Sequence, residues 1–151
     1  MTDKEKQEKA ILIDCLKKLK EIMGIPCLIN FRQRNMEGFG YTVPHSRIPI
    51  VRIRKQASLR WRIVYLCHEM IHVRQRFHGV NEPHYNNPDW IKYGAYGGAV
   101  EKEAWGDQWY YASQLLPFLP CDVKNSLRKL ILRKVKNARE VFPSLREVEN
   151  G

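Results

Sequence analysis

Apolar residues recur three and four positions apart near the start of the chain, a spacing that predicts an α-helix from Asp3 to Met23. The apolar stripe comprises Leu12, Cys15, Leu16, Leu19 and Met23. Gly24 and Pro26 follow and predict the end of the helix, because glycine accepts the left-handed conformation found after helices and proline cannot continue one.

Three short runs after this helix are rich in β-branched and aromatic residues and predict β-strands. They span Cys27–Arg32, Phe39–Val43 and Ile48–Arg54. The segment Asn35–Gly38 has the composition of a turn joining the first two strands. Pro44 and Pro49 favour a third strand that lies at an edge of the sheet or begins late, because proline cannot donate a ladder hydrogen bond.

Helical spacing returns in the second half of the chain. It predicts helices over Ala57–Phe77, Ala99–Leu116 and Asp122–Val141, with Asp122 as the cap of the last one. The segment Gly79–Gly98 between the first two is a long loop, and loops of this length within a compact domain are often functional. A helix, a small sheet and three further helices indicate the α+β class.

Composition limits the classes of protein that fit. The chain has 151 residues with 44% hydrophobic and 28% charged residues, which is typical of one globular domain. No stretch approaches the roughly 20 apolar residues of a membrane span, and the charged first ten residues have no signal-peptide core. We therefore expect a cytoplasmic protein. The net charge of +10 favours acidic partners, although a solubilising surface explains it equally well.

The sequence His68-Glu69-Met70-Ile71-His72 reads HExxH within the third predicted helix. Residues four apart share a face of a helix, so both imidazoles can reach one zinc ion at about 2.0–2.1 Å. Glu69 lies between them and can act as general base on a metal-activated water. This chemistry indicates a zinc peptidase, and the alternative is a pair of hydrogen-bonded core histidines without metal.

A catalytic zinc site usually has three protein ligands, so a third ligand is expected beyond the motif. His78 has the spacing of the metzincin pattern HExxHxxGxxH, but Gln75 replaces its glycine and no methionine follows Met70. On a continuing helix His78 would face away from His72. His78 is therefore the weaker candidate.

Two glutamates on the Ala99–Leu116 helix are the stronger candidates. At about 100° per residue, Glu101 falls in the middle of the apolar stripe, where a carboxylate needs a cation such as zinc or an arginine. Glu103 falls near the opposite face, which predicts a solvated charge. Glu103 nevertheless stays open as an alternative ligand, because Glu103 and Asp107 have the ExxxD spacing of thermolysin-like enzymes.

The HExxH helix followed by Glu101-Lys102-Glu103-Ala104 resembles the gluzincin zinc peptidases, including their short ImmA/IrrE-like branches, over about Trp61–Leu116. The resemblance implies a zincin-like fold over residues 1–151, with an antiparallel or mixed sheet, an active-site helix and a glutamate helix. It implies Zn²⁺ held by His68, His72 and Glu101, with Glu69 as base. Trp105 replaces the Asp or Asn that often supports a ligand histidine, so we expect Gln108 to give that support.

Gluzincins commonly add a His or Tyr that stabilises the oxyanion. The long loop offers four such residues, which are His84, Tyr85, Tyr93 and Tyr96. Each has the alternative of packing only. The Ile48–Arg54 strand is predicted to present an edge that pairs with an extended protein or peptide substrate.

Two other functions compete with the zinc endopeptidase. A DNA-associated protease, similar to SprT-like proteins, would meet phosphates through the basic side chains of the last predicted helix. Those side chains are Lys124, Arg128, Lys129, Arg133, Lys134, Lys136 and Arg139. A binding module that holds zinc without catalysis is the third possibility, and the glutamate between the histidines argues against it.

Overall fold

The computed structural model describes residues 1–43, 46–78 and 98–150. These residues form an α+β fold of helices around a small mixed sheet. Helix α1 spans Asp3–Met23 and helix α2 spans Leu59–His78. Helix α3 spans Gly98–Leu115 and continues into a 3-10 turn, Leu116–Phe118. Three more helices follow, α4 at Cys121–Lys134, α5 at Ala138–Val141 and α6 at Pro143–Asn150.

The residues at the two ends of α1 explain where the helix begins and ends. The hydroxyl of Thr2 accepts a hydrogen bond from the backbone N–H of Glu5, which satisfies a donor that the helix itself leaves unpaired. Gly24 closes the helix with φ +65°, a left-handed conformation that other residues adopt at a cost. The predicted bounds of this helix are confirmed.

Three strands form the sheet, in the order β1-β3-β2 within the described residues. Strand β1 is Asn30–Arg34, β2 is Gly40–Val43 and β3 is Ile50–Arg54. Strand β3 pairs in parallel with β1 and antiparallel with β2. The expectation that the third strand lies at an edge is therefore wrong, although it does begin late, after Pro49. The turn before β2 connects two strands that do not pair with each other.

Helix α2 is the centre of the fold. It packs against α3, α1, α4 and the inner face of the sheet, where Val51 and Ile53 are fully buried. Burial on several sides explains why most of its residues, including the motif, have little exposed surface. Within the described residues, none of the helices combines the length and apolar character needed to cross a membrane.

The last predicted helix is shorter than expected. Helix α4 ends at Lys134 because Val135 is extended (φ −114°, ψ 118°), and Asn137 turns the chain in the left-handed region with φ 59°. Cys121 begins the helix and Pro120 is its cap, so Asp122 lies in the first turn and the predicted capping role is wrong. Lys136 and Arg139 consequently do not belong to the same helix face as Lys129.

Candidate metal centre

Helix α2 and the first turn of α3 bring two imidazoles and one carboxylate together. Nε2 of His72 lies 2.7 Å from Oε1 of Glu101, and Nε2 of His68 lies 3.4 Å from Oε2 of the same carboxylate. One ligand atom from each of the three side chains lies within 4.8 Å of the others. With bonds of about 2.0–2.2 Å, the ligands of a tetrahedral ion are roughly 3.3–3.6 Å apart. The group therefore fits one metal ion after small movements.

The second nitrogen of each imidazole is held by a glutamine. Nδ1 of His68 lies 2.9 Å from Oε1 of Gln108, and Nδ1 of His72 lies 2.9 Å from Oε1 of Gln75. An amide oxygen only accepts hydrogen bonds, so each Nδ1 is the donor to its glutamine and each Nε2 is left to face Glu101. Such partners fix the tautomer and ring orientation of metal-binding histidines.

The contact between Gln108 and His68 is the one expected from the helical wheel of α3. The hydrogen bond of Gln75 to His72 is not predicted from the sequence. There, Gln75 only argues against a metzincin, because it replaces the glycine of that pattern. Its position three residues after His72 on one helix face was the available signal. Together the two glutamines supply the support that Trp105 cannot give.

Electrostatics at this centre favour a cation. Hydrogen bonds from His68 and His72 hold the pKa of Glu101 well below its usual value, against the opposing effect of burial. Burial lowers the pKa of His72, but hydrogen bonds to Glu101 and Gln75 outweigh it, so the net pKa is raised. The Glu101 carboxylate therefore favours positive charge between itself and the two imidazoles, carried by a proton or by a metal ion.

Glu69 faces strand β2 rather than solvent and is 6% exposed. The hydroxyl of Thr42 donates to Oε1 of Glu69 over 2.6 Å. Burial raises the pKa of Glu69, against the lowering effects of His68 and of the Thr42 hydrogen bond. A carboxylate with a raised pKa, positioned beside two imidazoles, is chemically suited to accept and return a proton.

Close packing against Gly40 also positions Glu69. An ideal Cβ on Gly40 would lie 2.7 Å from Cγ and 2.8 Å from Oε2 of Glu69, closer than real Cβ atoms approach other atoms. The edge strand therefore has room for the Glu69 side chain only because residue 40 is glycine.

An aromatic wall borders the same centre. The ring of Trp105 meets His68 edge-on at 4.8 Å, and the half-exposed Phe39 lies 6.0 Å from Trp105 and 5.1 Å from Tyr65. These rings limit the access of water to one side of His68. Trp105 thus packs its ring directly against His68.

Glu103 is neither solvated nor part of the histidine cluster, so the expectation of an exposed charge is wrong. It is 2% exposed and forms an ion pair with Arg74, which is also 3.4 Å from Asp107 and donates to the hydroxyl of Tyr111 over 2.7 Å. The arginine contacts both carboxylates and is the ion-pair partner of Glu103, which argues against Glu103 as a ligand. Nε2 of Gln75 lies 3.3 Å from Oε1 of Glu103 and links this pair to His72.

The other predicted site residues fall elsewhere. His78 is exposed at the end of α2, with Nε2 3.1 Å from the carbonyl oxygen of Gly24, so it is not part of the cluster. His84, Tyr85, Tyr93 and Tyr96 lie outside the described residues. Glu101 is in the cluster, but its side chain is 34% exposed and does not lie in a buried stripe as the wheel suggested.

Comparisons of the chain with protein-family models, with curated proteins and with solved structures give no match. The assignment of a role to this centre therefore depends on its geometry and on the chemistry of its side chains.

Proposed function

We propose that the protein is a zinc-dependent endopeptidase of the gluzincin type, with Glu69 as general base. The observation that carries the proposal is the convergence of His68, His72 and Glu101 from two helices, with Glu69 held beside them. Two imidazole nitrogens and one carboxylate oxygen are a ligand set that suits zinc, and three protein ligands leave a position open for catalysis.

Zinc bound there would activate a water molecule and polarise the carbonyl of the peptide bond. Glu69 would take the proton of the attacking water and return it to the leaving amine. Thr42 would keep the Glu69 carboxylate oriented during both transfers, because its hydroxyl contacts Oε1 directly. The glutamines at residues 75 and 108 would hold the imidazoles in one tautomer.

Strand β2 is the edge strand beside Glu69 and takes the substrate role first expected of the Ile48–Arg54 strand. Among the described residues its backbone pairs with β3 alone, so an extended peptide could pair along its other side. A substrate strand in that position would bring its carbonyl groups close to Glu69. Stabilisation of the oxyanion by His84, Tyr85, Tyr93 or Tyr96 stays a prediction.

Metal content tests the proposal directly. The purified protein should bind one zinc ion per chain, measured by elemental analysis after dialysis and by calorimetric titration. His72→Ala should weaken zinc binding by more than the 10–100-fold typical of changes in outer-sphere partners. His78→Ala is the matched control on the same helix and should bind zinc normally. Equal zinc binding by wild type and His72→Ala would refute the proposed centre.

Gly40→Ala should misplace the base without removing the metal. The added methyl group requires Glu69 to move, and a displacement of about 1 Å in catalytic geometry can cost about 100-fold in rate. We expect kcat for peptide hydrolysis to fall while the zinc stoichiometry stays at one. Gly38→Ala is the control, because in the described part of the chain, apart from its two sequence neighbours, nothing lies within 4 Å of its added Cβ. Equal kcat values for the two variants would contradict the proposed position of Glu69.

A further inference from the structure

The outer face of the sheet, opposite α2, carries a block of arginines. Side chains alternate between the faces of a strand, so the burial of Val51 and Ile53 places their neighbours on the outer face. The pairing register aligns Arg32 of β1 with Arg52 of β3, and Arg34 with Arg54. We call these four residues the arginine face.

Like charges directly opposite on neighbouring strands destabilise a sheet. Among the described residues, none of the four guanidinium groups has a carboxylate within 4.0 Å. Their hydrogen bonds go to neutral oxygens, from Nε of Arg32 to Asn30 over 3.1 Å and from Arg54 to the carbonyl of Glu37 over 2.8 Å. The arginine face is therefore a concentrated positive charge that the described parts of the fold do not neutralise.

The arginines form two rows with regular spacing. Residues two apart on a strand are about 6.6 Å apart, and neighbouring strands are about 4.8 Å apart. Arg32, Arg34 and Arg52 are exposed, and Arg54 is partly exposed. A linear partner with repeated negative groups matches such rows better than one compact anion. Guanidinium groups bind phosphate oxygens in a bidentate manner, which favours a phosphate backbone over isolated carboxylates.

An aromatic ring lies in the same rows. Tyr41 of β2 is aligned with Arg52, the residue is 50% exposed, and the guanidinium of Arg52 lies 5.8 Å from the centre of its ring. An exposed ring beside phosphate-binding arginines provides a stacking surface for an unpaired base. In double-stranded nucleic acid the base faces are stacked on one another, so they are not accessible to this ring.

The positive surface continues around the edge of β1. A cleft of about 240 Å³ there is lined in part by Lys9, Lys55, Arg32 and Arg34. Glu5 is also in the cleft, 3.9 Å from Lys55, and limits the positive charge at that end. The cleft would allow a strand that crosses the arginine face to continue toward α1.

We propose that the arginine face, with Tyr41, binds single-stranded nucleic acid through its phosphates and one stacked base. This site differs from the basic residues of α4, and it does not depend on zinc or on the peptidase proposal. A length of strand held there would lie on the sheet, on the side away from the metal centre.

The test is fluorescence anisotropy of the full chain with a fluorescein-labelled oligothymidylate of 20 nucleotides over a range of salt concentrations. Arg32→Gln/Arg52→Gln should weaken binding by at least about tenfold and lower the salt slope by about 1.4, since each phosphate contact to a single strand contributes about 0.7. Lys129→Gln/Arg133→Gln on α4 removes the same amount of charge and should leave the affinity and the salt slope nearly unchanged. Tyr41→Ala should weaken binding by about tenfold with the slope preserved.

Competition experiments distinguish nucleic acid from other anionic ligands of the arginine face. Polyglutamate of equal charge and vesicles containing phosphatidylserine should displace the oligonucleotide poorly, whereas unlabelled oligothymidylate should displace it fully. Three results would each overturn the proposal. The arginine-face and α4 variants could lose affinity equally. Duplex DNA could bind as tightly as the single strand, with no effect of Tyr41→Ala. Polyglutamate or the vesicles could bind more tightly than the oligonucleotide. Circular dichroism melts of all variants would establish that the losses do not arise from unfolding.

Discussion

Glu69→Gln is expected to lower kcat for hydrolysis of an unfolded protein such as casein by a factor of about 10²–10⁴, the usual contribution of a positioned general base. Zinc should stay bound at one ion per chain, because the ligands His68, His72 and Glu101 are unchanged. The amide has nearly the shape of the carboxylate and can still accept a hydrogen bond from Thr42. The variant should fold at least as stably as wild type, since burial already disfavours the charged form of Glu69.

The controls separate loss of the base from loss of the metal. Glu101→Gln weakens a ligand and should lose zinc and activity together. Glu37→Gln makes the same chemical change at an exposed carboxylate after β1 and should affect neither. If Glu69→Gln hydrolyses casein as fast as wild type with zinc bound, Glu69 is not the base.

The sequence predicted part of the centre because part of it is local. His68 and His72 share a helix face by spacing alone, and this needs no tertiary information. The helical wheel favours Glu101 only if α3 has a single buried face. The helix is in fact buried on several sides, with Glu103, Asp107 and Gln108 all nearly inaccessible. In that case a helical wheel cannot tell which of Glu101 and Glu103 is the metal ligand. The position of Arg74, which pairs with Glu103, makes the distinction.

The elements of the fold were more predictable than their arrangement. The end of the first helix followed from local signals such as Gly24 and Pro26, which act within a few residues of the chain. The order of strands depends on which backbone groups meet after folding, and consecutive strands often pair but need not do so. The break after Lys134 has no proline or glycine to mark it, and the left-handed Asn137 was its only local signal.

The cluster of Arg74, Glu103 and Asp107 is a feature that the sequence did not predict at all. Its three side chains are buried, and Arg74 is the only one of them with a positive charge. Gln75 connects Glu103 to His72, so the cluster also borders the metal centre. Removal of one member of a buried ion pair is far more costly than removal of all of them, because the charge left behind has no partner and little water.

Arg74→Met should therefore lower the free energy of unfolding by about 3–5 kcal/mol, measured by urea denaturation of the zinc-free protein. Arg76→Met, two residues later on the exposed side of the same helix, is the matched control: it loses a surface hydrogen bond to the carbonyl of Ser46 but leaves no buried charge, and should change the free energy of unfolding by less than about 1 kcal/mol. A triple variant, Arg74→Met with Glu103→Gln and Asp107→Asn, should recover part of the loss because no buried charge is left unpaired. If Arg74→Met were as stable as Arg76→Met, the arginine would not neutralise Glu103, and Glu103 would again be a candidate ligand for the metal.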